Sequence, residues 1–376
     1  MRSLVPALAV SLVATAALPG GIDQSGQPVT LIFQEGDYAE LTLGYLMPRI
    51  SAEGGAPGTA TGNAYDDLPD FGGGIKRQIG EGLSAALIVD QPYGVIVNYD
   101  LDYSTTGFAY AGTSAEPRSL GVTGLLRYAL GPRWSLHGGL RAIRFGGEAT
   151  LKGWGFGPAL DGYSWEGDDA WGLGYVAGAA YEVPEIALRV ALTYGSRTEL
   201  TLDSVETHVL DPATGTFGTV SSETAITMPQ SVNLDFQTGL NPKTLLYGSV
   251  RWAGWEGWNV APEGYVALVG APLVEFEHDT WHYELGIGRQ LTERFAGTIK
   301  LMHETATGDI QTVLTPYDGF TGVAVGGSYA TGTGLSIAGS VLVSFLGDAD
   351  VATPTGLARF RDNHSFGVGM RVGYRF

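Results

Sequence analysis

Hydrophobic and polar residues alternate with a period of two along most of this chain. In SFGVGMRVGYRF, residues 365–376, the even-numbered residues from Phe366 to Phe376 are apolar, and the odd-numbered residues are small, polar or charged. This period predicts a β-strand whose two faces lie in different environments. Fourteen segments share the pattern: residues 38–50, 71–79, 82–90, 118–130, 134–148, 169–182, 186–202, 224–239, 244–255, 280–290, 295–304, 319–330, 334–347 and 361–376.

The connections between these segments alternate between short and long. The short ones read GEG, GPR, VPE, NPK, TER and TGTG, whereas the others include stretches such as SAEGGAPGTATGNAYDDLPD. Short periplasmic turns and long extracellular loops are typical of outer-membrane barrels. The sequence therefore predicts an all-β fold, a 14-stranded antiparallel transmembrane β-barrel in a Gram-negative outer membrane, with both termini in the periplasm.

The last residues favour a membrane barrel over a soluble edge strand, because chain ends in soluble sheets are usually loose. A barrel in hydrocarbon has no free edge, so its closing strand must be paired to the end. We interpret Tyr374 and Phe376 as the signal that the barrel assembly machinery reads, after periplasmic chaperones have carried the chain. The expected surroundings are outer membrane lipids and lipopolysaccharide around a monomer.

The amino-terminal stretch MRSLVPALAVSLVATAALPGG predicts a secretory signal peptide over residues 1–16. Its apolar run is too short for a membrane helix, which needs roughly 20 apolar residues. Residues 17–37 are too apolar around VTLIF for a solvated tail, and we predict that they form a plug, or hatch, with the barrel over residues 38–376. The plug residues that we single out are Gln27, Pro28, Val29 and Phe33.

Composition excludes several classes of protein. The net charge of −18 argues against a nucleic-acid partner. The absence of cysteine excludes a disulfide framework and thiolate metal sites. A mean hydropathy of +0.08 fits neither a disordered chain nor a helical membrane protein. No cofactor and no metal are expected.

Charged side chains fall on the parity that faces the barrel lumen. Such charges usually pair with one another, because an unpaired buried charge is costly. The alternative is that Arg127, Arg141 and Arg189 meet the carboxylate of a substrate. The full inward set comprises Arg127, Arg141, Arg189, Arg197, Arg251, Lys300 and Arg371 with Glu40, Glu182, Asp235 and Glu284.

The third strand carries a proline where it should continue. Pro92 lacks an amide donor and is followed by Tyr93 and Gly94, so the ladder would break after Asp90. Two interpretations stay open: an inward kink within the strand, or a strand that ends at Asp90 with Pro92 opening the next loop.

Catalytic chemistry has little support in the sequence. EFEHDTWHYE places His278, Asp279 and His282 at the top of a strand, but no nucleophile pattern lies nearby. Two imidazoles and a carboxylate at this spacing are also a weak metal signal. We predict solvated loop residues and no enzyme.

Several motifs together resemble the FadL-type transporters of long-chain fatty acids and other hydrophobic compounds. These are QPVTLIFQEGDYAELTLGYLMPRI before an acidic, Gly-rich loop, GLSAALIVDQPYG as the third strand, and LNPKTLLYGSVRWAGW as a turn into a strand that ends in tryptophan. The resemblance covers residues 20–376, and each motif is degenerate, so strand count and order carry most of it.

The resemblance implies passive uptake of hydrophobic molecules through a plugged barrel. Substrates would be captured among the extracellular loops and leave sideways through a gap made by an inward kink, which maps onto Asp90, Pro92, Tyr93 and Gly94. The chain departs from the family in its hatch, which is short and has Gln27-Pro28-Val29 where the family has Asn-Pro-Ala. A general or substrate-specific diffusion porin is the alternative function, and a lipid-modifying barrel enzyme is a third.

Overall fold

The computed structural model describes residues 22–56, 58–99, 106–210 and 216–376. The predicted signal peptide and residues 17–21 of the predicted plug lie outside these described residues. Among the described residues, no helix is long and apolar enough to cross a bilayer. The helices are the 3-10 turns Val29–Phe33, Trp154–Phe156 and Pro184–Ile186 and the α-helices Gly157–Leu160 and Glu263–Val269.

Strands account for most of the described chain. They are β1 (Tyr38–Arg49), β2 (Ala52–Glu53), β3 (Leu68–Gly80), β4 (Leu83–Asp90), β5 (Val97–Asn98), β6 (Ser114–Leu130), β7 (Trp134–Leu151), β8 (Tyr163–Val183), β9 (Leu188–Gly195), β10 (Thr198–Leu210), β11 (Phe217–Met228), β12 (Ser231–Asn241), β13 (Thr244–Ala253), β14 (Trp258–Val260), β15 (Val274–Phe276), β16 (Thr280–Gln290), β17 (Phe295–Glu304), β18 (Phe320–Ala330), β19 (Leu335–Leu346), β20 (Ala349–Thr353), β21 (Gly356–Phe360) and β22 (His364–Arg375).

The long strands form one closed antiparallel barrel. Three wall strands are interrupted and count as two elements each, namely β4 with β5, β9 with β10, and β11 with β12, so the 17-stranded sheet contains fourteen wall strands. The ladder between β1 and β22, from Tyr38 opposite Arg375 to Arg49 opposite His364, closes the barrel. The amide of Phe376 donates to the carbonyl of Asp37 at 3.1 Å. The prediction of a 14-stranded barrel is confirmed.

The outward face of the barrel is its apolar face. Leu173 is 65% exposed and Leu140 is 61% exposed. Side chains of this kind would be a liability in water, but in a bilayer they contact lipid. Trp134 is exposed at the first residue of β7, where an interfacial aromatic girdle would lie, and Trp171 is exposed within β8.

One face prediction is wrong. Arg197, which the sequence assigned to the lumen, is exposed. It lies in the two-residue break between β9 and β10, and the alternation shifts across that break, so that Thr198 and Leu200 are buried and Glu199 is exposed. A strand interruption of this kind cannot be seen in a strict period of two.

Candidate functional site

The third wall strand is kinked rather than ended at Asp90. The ladder between β4 and β6 stops at Asp90 opposite Gly121 and resumes in β5 with Val97 opposite Ala115. A single bridge joins Gly94 to Arg118 between these two points. Because the strand returns to the same neighbour, the structure decides between the two interpretations of Pro92 in favour of a kink.

The kink also separates this strand from β3. The β3–β4 ladder stops at Gly73 opposite Val89, so within the described residues the upper part of β3 has no ladder with the third strand. The amide of Phe71 donates to the side-chain oxygen of Gln91 at 2.8 Å. A side chain, not a backbone ladder, therefore bridges the wall at this point.

The amino-terminal segment pairs with the kink. The amide of Gly94 donates to the carbonyl of Ile22 at 2.9 Å, and the amide of Gln24 donates to the carbonyl of Pro92 at 2.8 Å. Tyr93 lies between them and is 4% exposed, and its ring meets that of Trp255 edge to face at 5.7 Å. Ile22 and Gln24 thus satisfy backbone groups of Gly94 and Pro92, whereas Oγ of Ser119 on β6 bonds both the amide and the carbonyl of Tyr93.

Polar contacts fix the rest of this segment inside the barrel. Arg251 of β13 donates to Asp23 at 2.8 and 2.6 Å, and both side chains are buried. Asn233 of β12 donates to the carbonyl of Gly26 at 2.8 Å. Ser231 donates to the side-chain oxygen of Gln27 at 2.9 Å. Residues from different wall strands therefore converge on residues 22–27.

The 3-10 turn Val29–Phe33 follows inside the lumen. Gln27 is buried with a positive φ of 60°, and Pro28 at the start of the turn is exposed. Val29 and Phe33 are 2% and 7% exposed. The four sequence-predicted plug residues therefore lie on one continuous segment. Gln27, Val29 and Phe33 are buried, and Pro28 is exposed.

The lumen cations do not converge on one anion site. Arg127 pairs with Glu182 and donates to Ser135 at 3.0 Å. The guanidinium groups of Arg127 and Arg189 both lie over the ring of Phe33, at 4.9 and 4.8 Å from its centroid. These two arginines hold the plug, which the sequence did not predict.

Arg141 belongs to the kink. Its guanidinium lies 3.0 Å from the carboxylate of Asp90, which also accepts a hydrogen bond from Ser25. Asp90 is 2% exposed and Arg141 is 7% exposed. Kink, plug and lumen thus share one buried hydrogen-bonded cluster, which is the candidate site.

A second carboxylate beside the kink was missed by the sequence analysis. Asp70 lies on the inward parity of β3, on the stretch that the kinked strand has left. Oδ1 of Asp70 and Oδ1 of Asp90 are both buried and have no hydrogen-bond partner among the described residues. The only available signal was a charge inside the apolar-alternating stretch LPDFGGG.

Above the kink, the long loops pack an aromatic cluster. It includes Tyr65, Tyr99, Phe108 and Trp255, each of them 1% exposed or less. The hydroxyls of Tyr65 and Tyr99 donate to loop carbonyls at 3.0 and 2.8 Å. Burial raises the pKa of both hydroxyls well above its ordinary value, so they remain neutral donors. Strand periodicity could not reveal this cluster, because its members come from irregular loops.

The histidines of the upper loops do not form a catalytic arrangement. His278 contacts Asp309 and is half exposed. Asp279 accepts from Trp252 Nε1 at 2.9 Å. His282 belongs to β16 and lies 3.5 Å from Glu284 inside the barrel, so the prediction of a solvated loop residue is wrong at this position. The three residues thus have three different partners.

The chain was compared with known proteins. The sequence model of the family described as "Outer membrane protein transport protein (OMPP1/FadL/TodX)" matches residues 68–353. No curated protein matches the chain by sequence.

Solved structures share the whole fold. A Pseudomonas aeruginosa FadL homologue superposes with a TM-score of 0.73 at 17% identity, covering 97% of this chain and 98% of that one. The Pseudomonas putida toluene transporter TodX gives a TM-score of 0.63 at 14% identity over 96% of both chains. The Ralstonia pickettii toluene transporter TbuX gives 0.61 at 14% identity, over 93% and 92%.

The matched residues reach from the start of β3, through the kinked third strand, to β20, and the closed 14-stranded barrel is shared along its length. This chain belongs to the FadL/TodX family of outer membrane transport proteins.

Proposed function

We propose that this protein takes up hydrophobic molecules by passive diffusion across the outer membrane and releases them sideways at the kink in its third strand. The observation that carries the proposal is the kink itself, which leaves the upper part of β3 without a ladder to the third strand, while the plug bonds the backbone of Pro92 and Gly94. Substrates would first meet the aromatic cluster among the loops. Short turns would face the periplasm together with both termini, and the plug would extend over residues 17–37.

Physical chemistry favours a sideways exit for an apolar molecule. Each methylene loses roughly 0.8 kcal/mol when it is returned to water. The axial route passes the plug and paired charges such as Arg127 with Glu182. A route through the wall at Pro92 would deliver the molecule directly into the bilayer without an axial passage through the lumen. A general porin would need an open polar lumen, and here residues 22–33 lie across it.

Long-chain fatty acids are the first substrate class to test, as the family resemblance implies. Uncharged aromatic hydrocarbons are a second candidate, favoured by one observation. Arg127, Arg141 and Arg189 are all engaged by protein groups, and the kink is bordered by the carboxylates of Asp70 and Asp90. Such a border repels a substrate carboxylate more than a neutral ring.

The test is to close the kink with the double substitution Pro92→Val and Gly94→Val, which restores an amide donor and strand propensity. A Cβ at position 94 would lie 3.1 Å from the side-chain oxygen of Gln24 and 3.3 Å from the carbonyl oxygen of Pro117, so both Gln24 and the kinked backbone must shift by a few tenths of an ångström. Uptake of oleate and of toluene, measured separately at matched surface expression, should fall at least tenfold for the true substrate class.

Gly339→Val is the matched control. Position 339 lies on the outward face of β19, and its nearest neighbour is a carbonyl 3.8 Å from the added Cβ. It should leave uptake unchanged. Unchanged uptake in the kink variant would reject the sideways exit at this place. Rapid flux of sugars into proteoliposomes of the unaltered protein would favour the porin alternative, and lipid turnover lost on replacing His278 and His282 would favour an enzyme.

A further inference from the structure

The barrel wall has a second interruption, on the far side of β6 and β7 from the kink. The β8–β9 ladder ends at Val176 opposite Gly195, and the β8–β10 ladder begins at Gly167 opposite Ser204. Residues 168–175 and 196–203 lie between these points and all belong to the described chain, yet no ladder pair joins them. We name these two stretches the seam. Ser196 bonds across its lower end, donating its amide to Tyr175 at 2.9 Å and accepting from the Tyr175 amide at 2.8 Å through Oγ.

The seam has an identifiable cause in the sequence. The break between β9 and β10 lies beside the break between β11 and β12, since Gly195 pairs with Ser231 and Thr198 pairs with Met228. Pro229 occupies that second break and cannot donate to a ladder. Two neighbouring wall strands are therefore interrupted at the same level.

Glycines let the seam close without ladder hydrogen bonds. A Cβ added to Gly172 would lie 2.5 Å from the carbonyl oxygen of Glu199, and one added to Gly174 would lie 2.6 Å from Oγ1 of Thr198. The two strands thus touch over the seam. Because no ladder pairs join the two strands here, the wall is closed, but separating the strands costs less free energy than breaking a continuous ladder.

The seam crosses the outer edge of the lipid-facing belt: its upper end carries the exposed charges Asp169 and Asp203, and its lower end faces lipid. On β8, the outward side chains along it are Trp171, Leu173 and Tyr175, which are 56%, 65% and 51% exposed. Backbone groups at such a depth are normally paired, because hydrocarbon offers them no partner. A stretch of wall without ladder pairs at this depth is therefore unusual for a membrane barrel.

A small cavity lies directly behind the seam. Gly174, Ser196 and Thr198 line it on the wall side, and Gln27 and Tyr93 line it on the plug side. It has room for about one water molecule. This cavity therefore lies between Tyr93 of the kink and the seam.

The two interruptions are also connected through the wall itself. Asp90 pairs with Gly121, Gly121 with Ile143, and Ile143 with Gly172. One ladder row thus runs from the start of the kink to the seam. The outer halves of β6, β7 and β8 form a panel that is bounded on both sides by unladdered backbone.

We propose that the seam is a second lateral gate, through which an apolar molecule with a small polar group passes between the cavity behind the seam and the outer leaflet. The hydroxyl of Ser196 would accommodate the polar group, and the exposed belt beside Leu173 would receive the apolar part. This proposal rests on the proposed function, in which the kink is the main exit.

The test locks the seam with a disulfide. The chain has no cysteine, so Gly174→Cys with Thr198→Cys introduces the only pair, and the short approach between these positions suits a disulfide. Ala179→Cys with Leu192→Cys is the control, because these residues are paired on the continuous β8–β9 ladder. Uptake of oleate and toluene is measured before and after reduction, in the unaltered background and in the kink-closed background.

Oxidation of the Gly174→Cys and Thr198→Cys pair should lower uptake at least twofold in the unaltered background. In the kink-closed background, it should lower the remaining uptake at least fivefold. Reduction should restore both rates, and the control pair should change neither. Equal uptake by oxidised and reduced protein in both backgrounds would overturn the proposal. Normal uptake by the kink-closed variant, abolished by the lock, would reject the kink exit and retain the seam.

A second measurement does not depend on transport. Deuterium exchange in lipid nanodiscs should be faster for the amides of residues 168–174 than for those of β18, whose ladders are continuous. If the unaltered protein takes up neither probe, the proposed function fails, and the exchange result alone decides whether the seam opens. Protection as strong as that of β18 would overturn the gate.

Discussion

The two halves of the barrel wall differ in continuity. From β13 through β16, β17, β18, β19 and β22 to β1, every ladder runs without a register shift. From β4 to β12, three wall strands are interrupted, and the β7–β8 ladder contains a bulge at Phe145 and Gly147. Both halves share the same alternation, so the difference does not arise from hydrophobic patterning.

In the interrupted half, groups beside the ladder breaks form hydrogen bonds with the plug. Gly94 donates to Ile22 instead of to a neighbouring strand, and Ser231, beside the second break, donates to Gln27. In the continuous half, the interior charge of Lys300 is instead paired within the wall, with Glu284 at 2.7 Å. The ladder breaks at Gly94 and Ser231 therefore lie beside the plug, where the proposed passages would form.

Loss of the last residue should have the largest effect, because it acts on the continuous half that closes the barrel. Phe376 donates its amide to Asp37, its ring stacks on Tyr374 at 5.9 Å, and Arg77 lies over it at 5.4 Å. Deleting Phe376 should reduce folded, heat-modifiable barrel at least tenfold while secretion continues. Wild-type amounts of folded barrel would contradict an assembly role.

Breaking the plug anchor should release the plug from β13, the strand at which the continuous half begins. Arg251→Met leaves Asp23 as an uncompensated buried charge, a change that costs about 3–5 kcal/mol. We expect the plug to detach while the wall stays folded, measured as raised ion conductance in planar bilayers with unchanged heat modifiability. The double variant Arg251→Met with Asp23→Asn should recover most of the low conductance. Low conductance in the single variant would show that other contacts suffice.

A pair of glycine substitutions tests the two halves directly. At Gly172, a Cβ would lie 2.5 Å from the carbonyl oxygen of Glu199, whereas at Gly339 the nearest atom is 3.8 Å away. Gly172→Ala should therefore lower the free energy of unfolding by about 1–3 kcal/mol, and Gly339→Ala should change it by less than about 0.5 kcal/mol. Denaturant unfolding in lipid vesicles measures both, and equal values would mean that the seam strands move apart freely.

The smallest expected effect concerns the plug turn. Phe33→Leu keeps an apolar side chain but removes the ring beneath Arg127 and Arg189, and each cation–π contact contributes about 0.5–1 kcal/mol or more when desolvated. We expect a slight rise in exchange of the amides from Val29 to Phe33, with the barrel unaffected. Phe33→Tyr, which keeps a ring, is the control and should match the unaltered protein.

Sequence reasoning predicted the strands well and the site in part. The alternation and the turn lengths were enough for fourteen strands, because lipid on one face and lumen on the other impose a period of two. Pro92 marked the kink, but the sequence could not tell a kink from a strand end, since that depends on whether the chain returns to the same neighbour. Arg197 was misplaced for a related reason, as one break reverses the parity of every residue that follows it.

By itself, the sequence determined the class of fold, the order of the strands and the family, because these depend on local periodicity and on the lengths of turns and loops. Only the tertiary structure decided which groups meet: that Arg127 and Arg189 hold Phe33, that Asp70 borders the kink, and that the seam lies in the same ladder row as Asp90. The physical reason is that barrel closure brings together residues far apart in the chain, and their register follows from every ladder between them rather than from any local stretch.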